Sequence, residues 1–109
     1  MTLIKSISEL EQSVMSHPKV VLVLSSDACP DCHYLDTFAQ SLEDTFPDIA
    51  FYKVKRSDVP MLFTHYDVYG VPSIFYYSNG VLKDTYISKA RKTFAMVSAF
   101  IFQAIKKEG

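Results

Sequence analysis

Cys29 and Cys32, set just after the apolar run Val20-Val21-Leu22-Val23-Leu24, constrain this chain more than any other feature. They are its only two cysteines. A continuous apolar run of this kind reads as a strand covered on both faces. Pro30 follows Cys29 directly, and proline is favoured at the first helical position, where its missing N–H costs nothing. Cys29-Pro30-Asp31-Cys32 therefore lies where a buried strand turns into a helix. At such a start the unpaired backbone N–H groups and the positive end of the helix dipole favour a thiolate on Cys29. Cys32, three positions later, falls on the same face of the first turn, so the two sulfurs can meet. The motif offers an attacking thiolate with a resolving thiol behind it, the redox reading of C-x-x-C in an intracellular protein.

Bulk properties narrow the alternatives. The chain has 109 residues, 49% of them apolar and 14% aromatic, enough for one domain over 1–109 with its own core. A net charge of −1 leaves no field to draw in nucleic acid or an acidic membrane. Lys53, Lys55 and Arg56, and then Lys89, Arg91 and Lys92, are local basic clusters. The N-terminus lacks the long apolar stretch of a secretion signal, and the longest apolar run is too short to span a membrane. The expected setting is cytoplasmic, where a lone cysteine pair is catalytic or metal-binding rather than structural. Structural zinc needs about four ligands; a second C-x-x-C is absent, and His17, His33 and His65 lack paired ligand spacing. No metal is expected. A buried, inert pair is disfavoured by the helix-start position.

The rest of the chain alternates strands and helices. A short strand is expected over 2–5, and a helix over 8–16 capped by Ser8 and ended by His17-Pro18. After the strand at 20–25, one helix is expected over 30–45, with Tyr34, Leu35, Phe38, Ala39, Leu42 and Phe46 as its apolar stripe. A strand follows over 50–55, then a short helix capped by Ser57 or Asp58 and reaching about residue 67, then a strand over 73–77. Asn79-Gly80 is the strongest short-range hairpin signal, with 81–87 as the second arm. Phe94, Val97, Ile101, Ala104 and Ile105 mark a last helix, on which Phe100 and Phe102 point to different faces, either as two-sided burial or as a contact surface. The order is β-α-β-α-β-α-β-β-α.

In this order the chain resembles the thioredoxin family over nearly its whole length. The resemblance is carried by Cys29-Pro30-Asp31-Cys32 at a strand-to-helix turn, by Tyr69-Gly70-Val71-Pro72-Ser73, similar to the family's Gly-Ile/Val-Pro-Thr, and by the Asn79-Gly80 hairpin before a final helix. It implies the α/β thioredoxin-like fold, a central mixed sheet flanked by helices. It implies a cis peptide between Val71 and Pro72, the one bond type for which cis is cheap, although by itself Pro72 also reads as a strand-entry proline. It further implies that the Val71 backbone faces Cys29 across a groove where an extended substrate segment pairs.

The departures from the family pattern matter. Ala28 stands where the family commonly has Trp, and Pro30-Asp31 where it has Gly-Pro. Proline first is more similar to glutaredoxins, whose glutathione-binding features are not evident downstream. Val23 occupies the position of the family's buried Asp, so Lys53, which matches the family's Lys, is expected to lose its carboxylate partner. Ser88 stands where a groove-lining Gly is common. His33 is either a solvated helix residue or, if protonated near the sulfurs, a thiolate stabiliser that Asp31 opposes. Lys53 read alone is an exposed edge-strand residue.

The implied activity is thiol–disulfide exchange, in the direction of reducing protein disulfides. Cys29 attacks and Cys32 resolves, Pro30, Asp31, His33 and Lys53 modulate, and Val71 and Pro72 bind substrate. No cofactor is expected in this chain. The resemblance implies an external, flavin-dependent reductase of the thioredoxin-reductase type, using NADPH, to restore the dithiol. A disulfide oxidase or isomerase, and a thioredoxin-fold adaptor or redox sensor without turnover, are the competing readings.

Overall fold

The computed structural model describes residues 1–108. The strands are β1 (Thr2–Ile4), β2 (Lys19–Ser25), β3 (Ala50–Lys55), β4 (Ser73–Ser78) and β5 (Val81–Tyr86). The helices are α1 (Ile7–Met15), α2 (Pro30–Asp36), α3 (Ala39–Thr45), α4 (Pro60–His65) and α5 (Phe94–Lys107). The sheet runs β1-β3-β2-β4-β5. β2 pairs parallel with β3 and antiparallel with β4, so the sheet is mixed, as expected.

The central position of β2 explains its composition. Val20, Leu22 and Leu24 face one core cluster, while Val21 and Val23 face the other, the period-2 alternation of a strand. Phe75 and Tyr77 of β4 join the first cluster with residues of α1 and α4. Ile74 and Tyr76 join the second with Leu35, Leu42, Val97 and Ile101 from α2, α3 and α5. Truncating a fully buried leucine such as Leu22 removes about 2–5 kcal/mol in such a core. Between β4 and β5 the turn uses φ values of 51° at Asn79 and 81° at Gly80, the left-handed pair of the tight hairpin. A Cβ on Gly80 would also strike the Met15 sulfur.

Four local expectations are corrected. The helix expected over 30–45 is two helices. Thr37 turns its hydroxyl onto the Tyr34 carbonyl at 2.6 Å, and the Phe38 N–H bonds Leu35 O at 3.0 Å, a tightened last turn that ends α2. Phe38 then leaves helical geometry at φ −119° and ψ 11°. The apolar stripe continues across the break because the Phe38 ring packs edge-on against Tyr34 and Phe94, with centroids at 5.5 and 5.9 Å. For α1 the cap is Ser6 rather than Ser8, its hydroxyl accepting from Glu9 N at 3.1 Å. For α4 neither Ser57 nor Asp58 caps; the helix starts after Val59 with Pro60 in its first turn and ends at His65. On α5, Phe100 is half-buried against Tyr86 at 5.6 Å, whereas Phe102 is exposed, so burial on both faces does not hold.

Candidate active site

The sequence of β2 carries the chain up through the core and releases it at Ser25, with residues 26–28 as the exit loop. Cys29 is the N-cap of α2, with φ −108° and ψ 108°, and Pro30 opens the helix. The Cys29 sulfur accepts the Cys32 N–H at 3.1 Å, so it takes the place usually held by a serine or aspartate oxygen at a helix start. The Cys29 carbonyl accepts from the N–H groups of Cys32 and His33, both at 3.1 Å, which completes the turn. Cys29 is half-buried, whereas Cys32 is only 3% exposed. Burial, and after it the hydrogen bond to Cys29, pushes the Cys32 thiol up to about 11.

Across from the pair, the Val71–Pro72 peptide is cis. The Cys29 thiol approaches the Val71 carbonyl at 3.6 Å, so the accessible sulfur and a backbone acceptor share one rim. Val71 is half-buried and Pro72 buried. Gly70 is required next to them. A Cβ there would lie 2.5 Å from Ser88 O and 2.6 Å from Lys89 N, both backbone atoms that cannot yield cheaply. Tyr69 fastens the same segment by donating its hydroxyl to Ile87 O at 3.1 Å. Ser88, in place of the family's glycine, caps the local turn by accepting from Ala90 N at 2.9 Å.

The residues expected to modulate the pair lie in different settings. Pro30 is exposed at the helix start. His33 is exposed, and its Nε2 lies 2.7 Å from the Asp27 carbonyl. Since a carbonyl only accepts, Nε2 carries the proton, and the ring braces the loop ahead of the motif. Lys53 is corrected on two counts. It lies on β3, an interior strand rather than an edge. It also keeps a carboxylate: its Nζ donates to both oxygens of Asp36, at 3.0 and 3.1 Å. Val23, its neighbour in register, is 2% exposed and supplies no charge.

Several residues around the pair were not singled out by the sequence. Lys55 donates to the Asp27 carboxylate at 2.9 Å and ties the loop before Cys29 to β3. Asp27 is drawn below the usual carboxylate range by Lys55, and Lys55 rises in return. Arg91, whose Nε lies 3.8 Å from the carboxylate of the expected modulator Asp31, stacks its guanidinium 3.6 Å from the Tyr34 ring centroid. Lys92 is fully buried. Its only sequence signal is the basic cluster at Lys89, Arg91 and Lys92, which composition alone reads as a solvated patch. Among the described residues, no three His, Cys, Asp or Glu side chains stand close enough to share a metal ion. No described helix is long and apolar enough to cross a membrane.

Comparison with known proteins agrees with this fold. The family model for thioredoxin matches residues 2–101. A thioredoxin from Gallus gallus is 32% identical over 72 residues, 66% of this chain and 69% of the relative. Among solved structures, mitochondrial thioredoxin 3 from Saccharomyces cerevisiae, in its oxidised form, superposes with a TM-score of 0.82 at 17% identity, over 94% of each chain. Plasmodium falciparum thioredoxin does so at 0.76 and 18% identity, over 97% of this chain and 98% of that one. At such identities the structural likeness speaks for the fold.

Proposed function

The chain belongs to the thioredoxin family, and on that premise we propose that it reduces disulfide bonds in other proteins through the tetrapeptide Cys29-Pro30-Asp31-Cys32. At the general level of the family it is a thiol–disulfide oxidoreductase. The observation that carries the finer reading is the unequal setting of the two sulfurs. Cys29 is accessible at the helix cap beside the Val71 carbonyl, and Cys32 is buried one turn in.

The exchange then runs in two displacements. The Cys29 thiolate attacks one sulfur of the substrate disulfide; a Cys29–substrate bond forms, the substrate S–S bond breaks, and the leaving sulfur takes up a proton. Cys32 loses its proton and attacks the Cys29 sulfur. The intramolecular disulfide forms and the second substrate sulfur departs as a thiolate, which is then protonated. Two electrons pass from the cysteine pair to the substrate, with one proton from Cys32 and one from the solvent that received it when Cys29 ionised. Val71 and Pro72 form the rim on which an extended substrate segment pairs. Restoring the dithiol requires a reductase of the thioredoxin-reductase type as an external partner. We place the reaction in the cytoplasm, supported by a single cysteine pair in a chain of 109 residues.

The test is insulin reduction with dithiothreitol as electron source. The wild type is expected to accelerate it, and Cys29→Ser to lower the catalysed rate by at least about a thousandfold, since the nucleophile itself is removed. A wild type that gives no acceleration would favour an adaptor or sensor.

A further inference from the structure

Lys92 is the one charged side chain in the buried set, with no exposed surface. Its Nζ donates to Ser88 O at 3.0 Å and to Ala90 O at 2.8 Å, and lies 5.2 Å from the centroid of the Tyr86 ring. It forms no ion pair with a carboxylate among the described residues. An ammonium held this way is costly unless negative charge lies near.

Its loop lies against the part of the fold that can supply that charge. Residues 87–93 link β5 to α5 and close one side of the candidate site. Ser88, whose carbonyl Lys92 holds, abuts Gly70. Gly70 leads to Val71, whose carbonyl meets the Cys29 sulfur. Arg91, beside Lys92, reaches Asp31 in the first turn of α2 and stacks on Tyr34. The loop that holds Lys92 thus borders the start of α2, where Cys29, Asp31 and Cys32 lie, with Tyr86 of β5 against the ammonium and Arg91 in the loop itself. Asp31 already has Arg91. Burial pushes the Lys92 ammonium below its usual range, and Cys32, Asp31 and Cys29 push back in that order.

We propose that Lys92 is a positioning residue for the exchange reaction, a buried cation that stabilises the thiolate formed by the Cys29–Cys32 pair and holds the loop bordering Gly70 and Val71. Two of the ammonium protons are satisfied by the loop, and its field acts at the cysteines across the start of α2. The coupling is reciprocal: a thiolate that gains from Lys92 must also hold the Lys92 proton more tightly. Oxidation to the disulfide removes the thiolate and with it that hold. This chain has Val23 in place of a buried carboxylate, so its electrostatic control of the dithiol comes from a cation on the opposite strand-end loop.

The inference rests on Cys29 being the attacking thiolate, and wild-type peptide mapping tests that separately: labelling of Cys32 first would defeat that reading before any variant is compared. The experiment is the rate of iodoacetamide alkylation of the reduced protein from pH 5 to 10, for wild type, Lys92→Gln and Lys92→Met. Gln keeps a hydrogen-bond donor for the loop carbonyls and loses the charge; Met loses both. Both variants are expected to move the rate profile to higher pH and slow alkylation at pH 7 by about three- to tenfold, since a tenfold change corresponds to one unit on the profile. A profile moved by Met but unmoved by Gln would overturn the role of the charge, and so would profiles unmoved in both. Should neither variant fold, NMR titration of the lysine Nζ groups in the unmodified protein decides. Lys92 is expected to titrate at a higher pH in the reduced than in the disulfide form, and equal titration in both would overturn the proposal.

Discussion

Val23→Asp is expected to speed release of substrate from a preformed Cys29 mixed disulfide by at least about tenfold near neutral pH, and to lower stability by about 3–5 kcal/mol. The first effect follows from the Cys32 thiol at about 11. In the mixed disulfide the contributions of Cys29 to that value are gone but the burial remains, so Cys32 is largely protonated at pH 7 and the wild-type resolving step should quicken as pH rises above neutral. Val23 packs in the same cluster as Leu35, one turn beyond Cys32 on α2, and a carboxylate there could accept the proton and flatten that dependence. The second effect follows from burial. Val23 is 2% exposed, and the nearest cation in register, Lys53, is held by Asp36. A carboxyl buried there has its folded-state value raised above the unfolded value of about 3.9. The native state then retains a proton that the unfolded chain releases, so the loss of stability grows as pH rises from about 4. Stopped-flow release across pH, with urea unfolding of each variant, reads both. If Val23→Asp folds normally yet releases substrate no faster at any pH, the missing base does not limit the reaction.

Cys32→Ser is expected to abolish turnover while leaving the first displacement intact, so that mixed disulfides through Cys29 accumulate. The serine hydroxyl cannot displace a sulfur, and the accessible rim at Cys29 and Val71 is unchanged. Substrate proteins should remain attached through denaturing electrophoresis and be released by dithiothreitol. Capture equal to that of the Cys29→Ser/Cys32→Ser double variant would mean that no exchange begins, and would favour a sensing or adaptor role.

Much of this architecture is legible in the sequence because it is locally encoded. The unbroken apolar run of β2 calls for a strand covered on both faces. Pro30 and the two cysteines locate the start of α2, and Asn79-Gly80 sets the hairpin through its left-handed backbone. The break between α2 and α3 is hidden, because Phe38 keeps the helical apolar spacing while Thr37 ends the helix by bonding Tyr34 O. Contacts between distant residues are hidden too. Nothing near Lys53 in sequence points to Asp36, seventeen positions away, as the partner that replaces the carboxylate missing at Val23. Lys92 is the strongest case. Lysine is almost never fully buried, and only the folding of residues 87–93 against α2 and Gly70 gives its burial a cause. The cysteine pair is therefore readable, and the distant contacts that hold Lys53 and Lys92 are not.

The direction of electron flow is the central claim, and the reduction potential of the Cys29–Cys32 couple tests it most directly. Equilibration with glutathione mixtures of known ratio, read by trapping the free thiols, gives the value. A protein-disulfide reductant should lie near or below about −250 mV, toward the thioredoxin end of the range. A value above about −200 mV, in the region of isomerases and oxidases, would contradict the account.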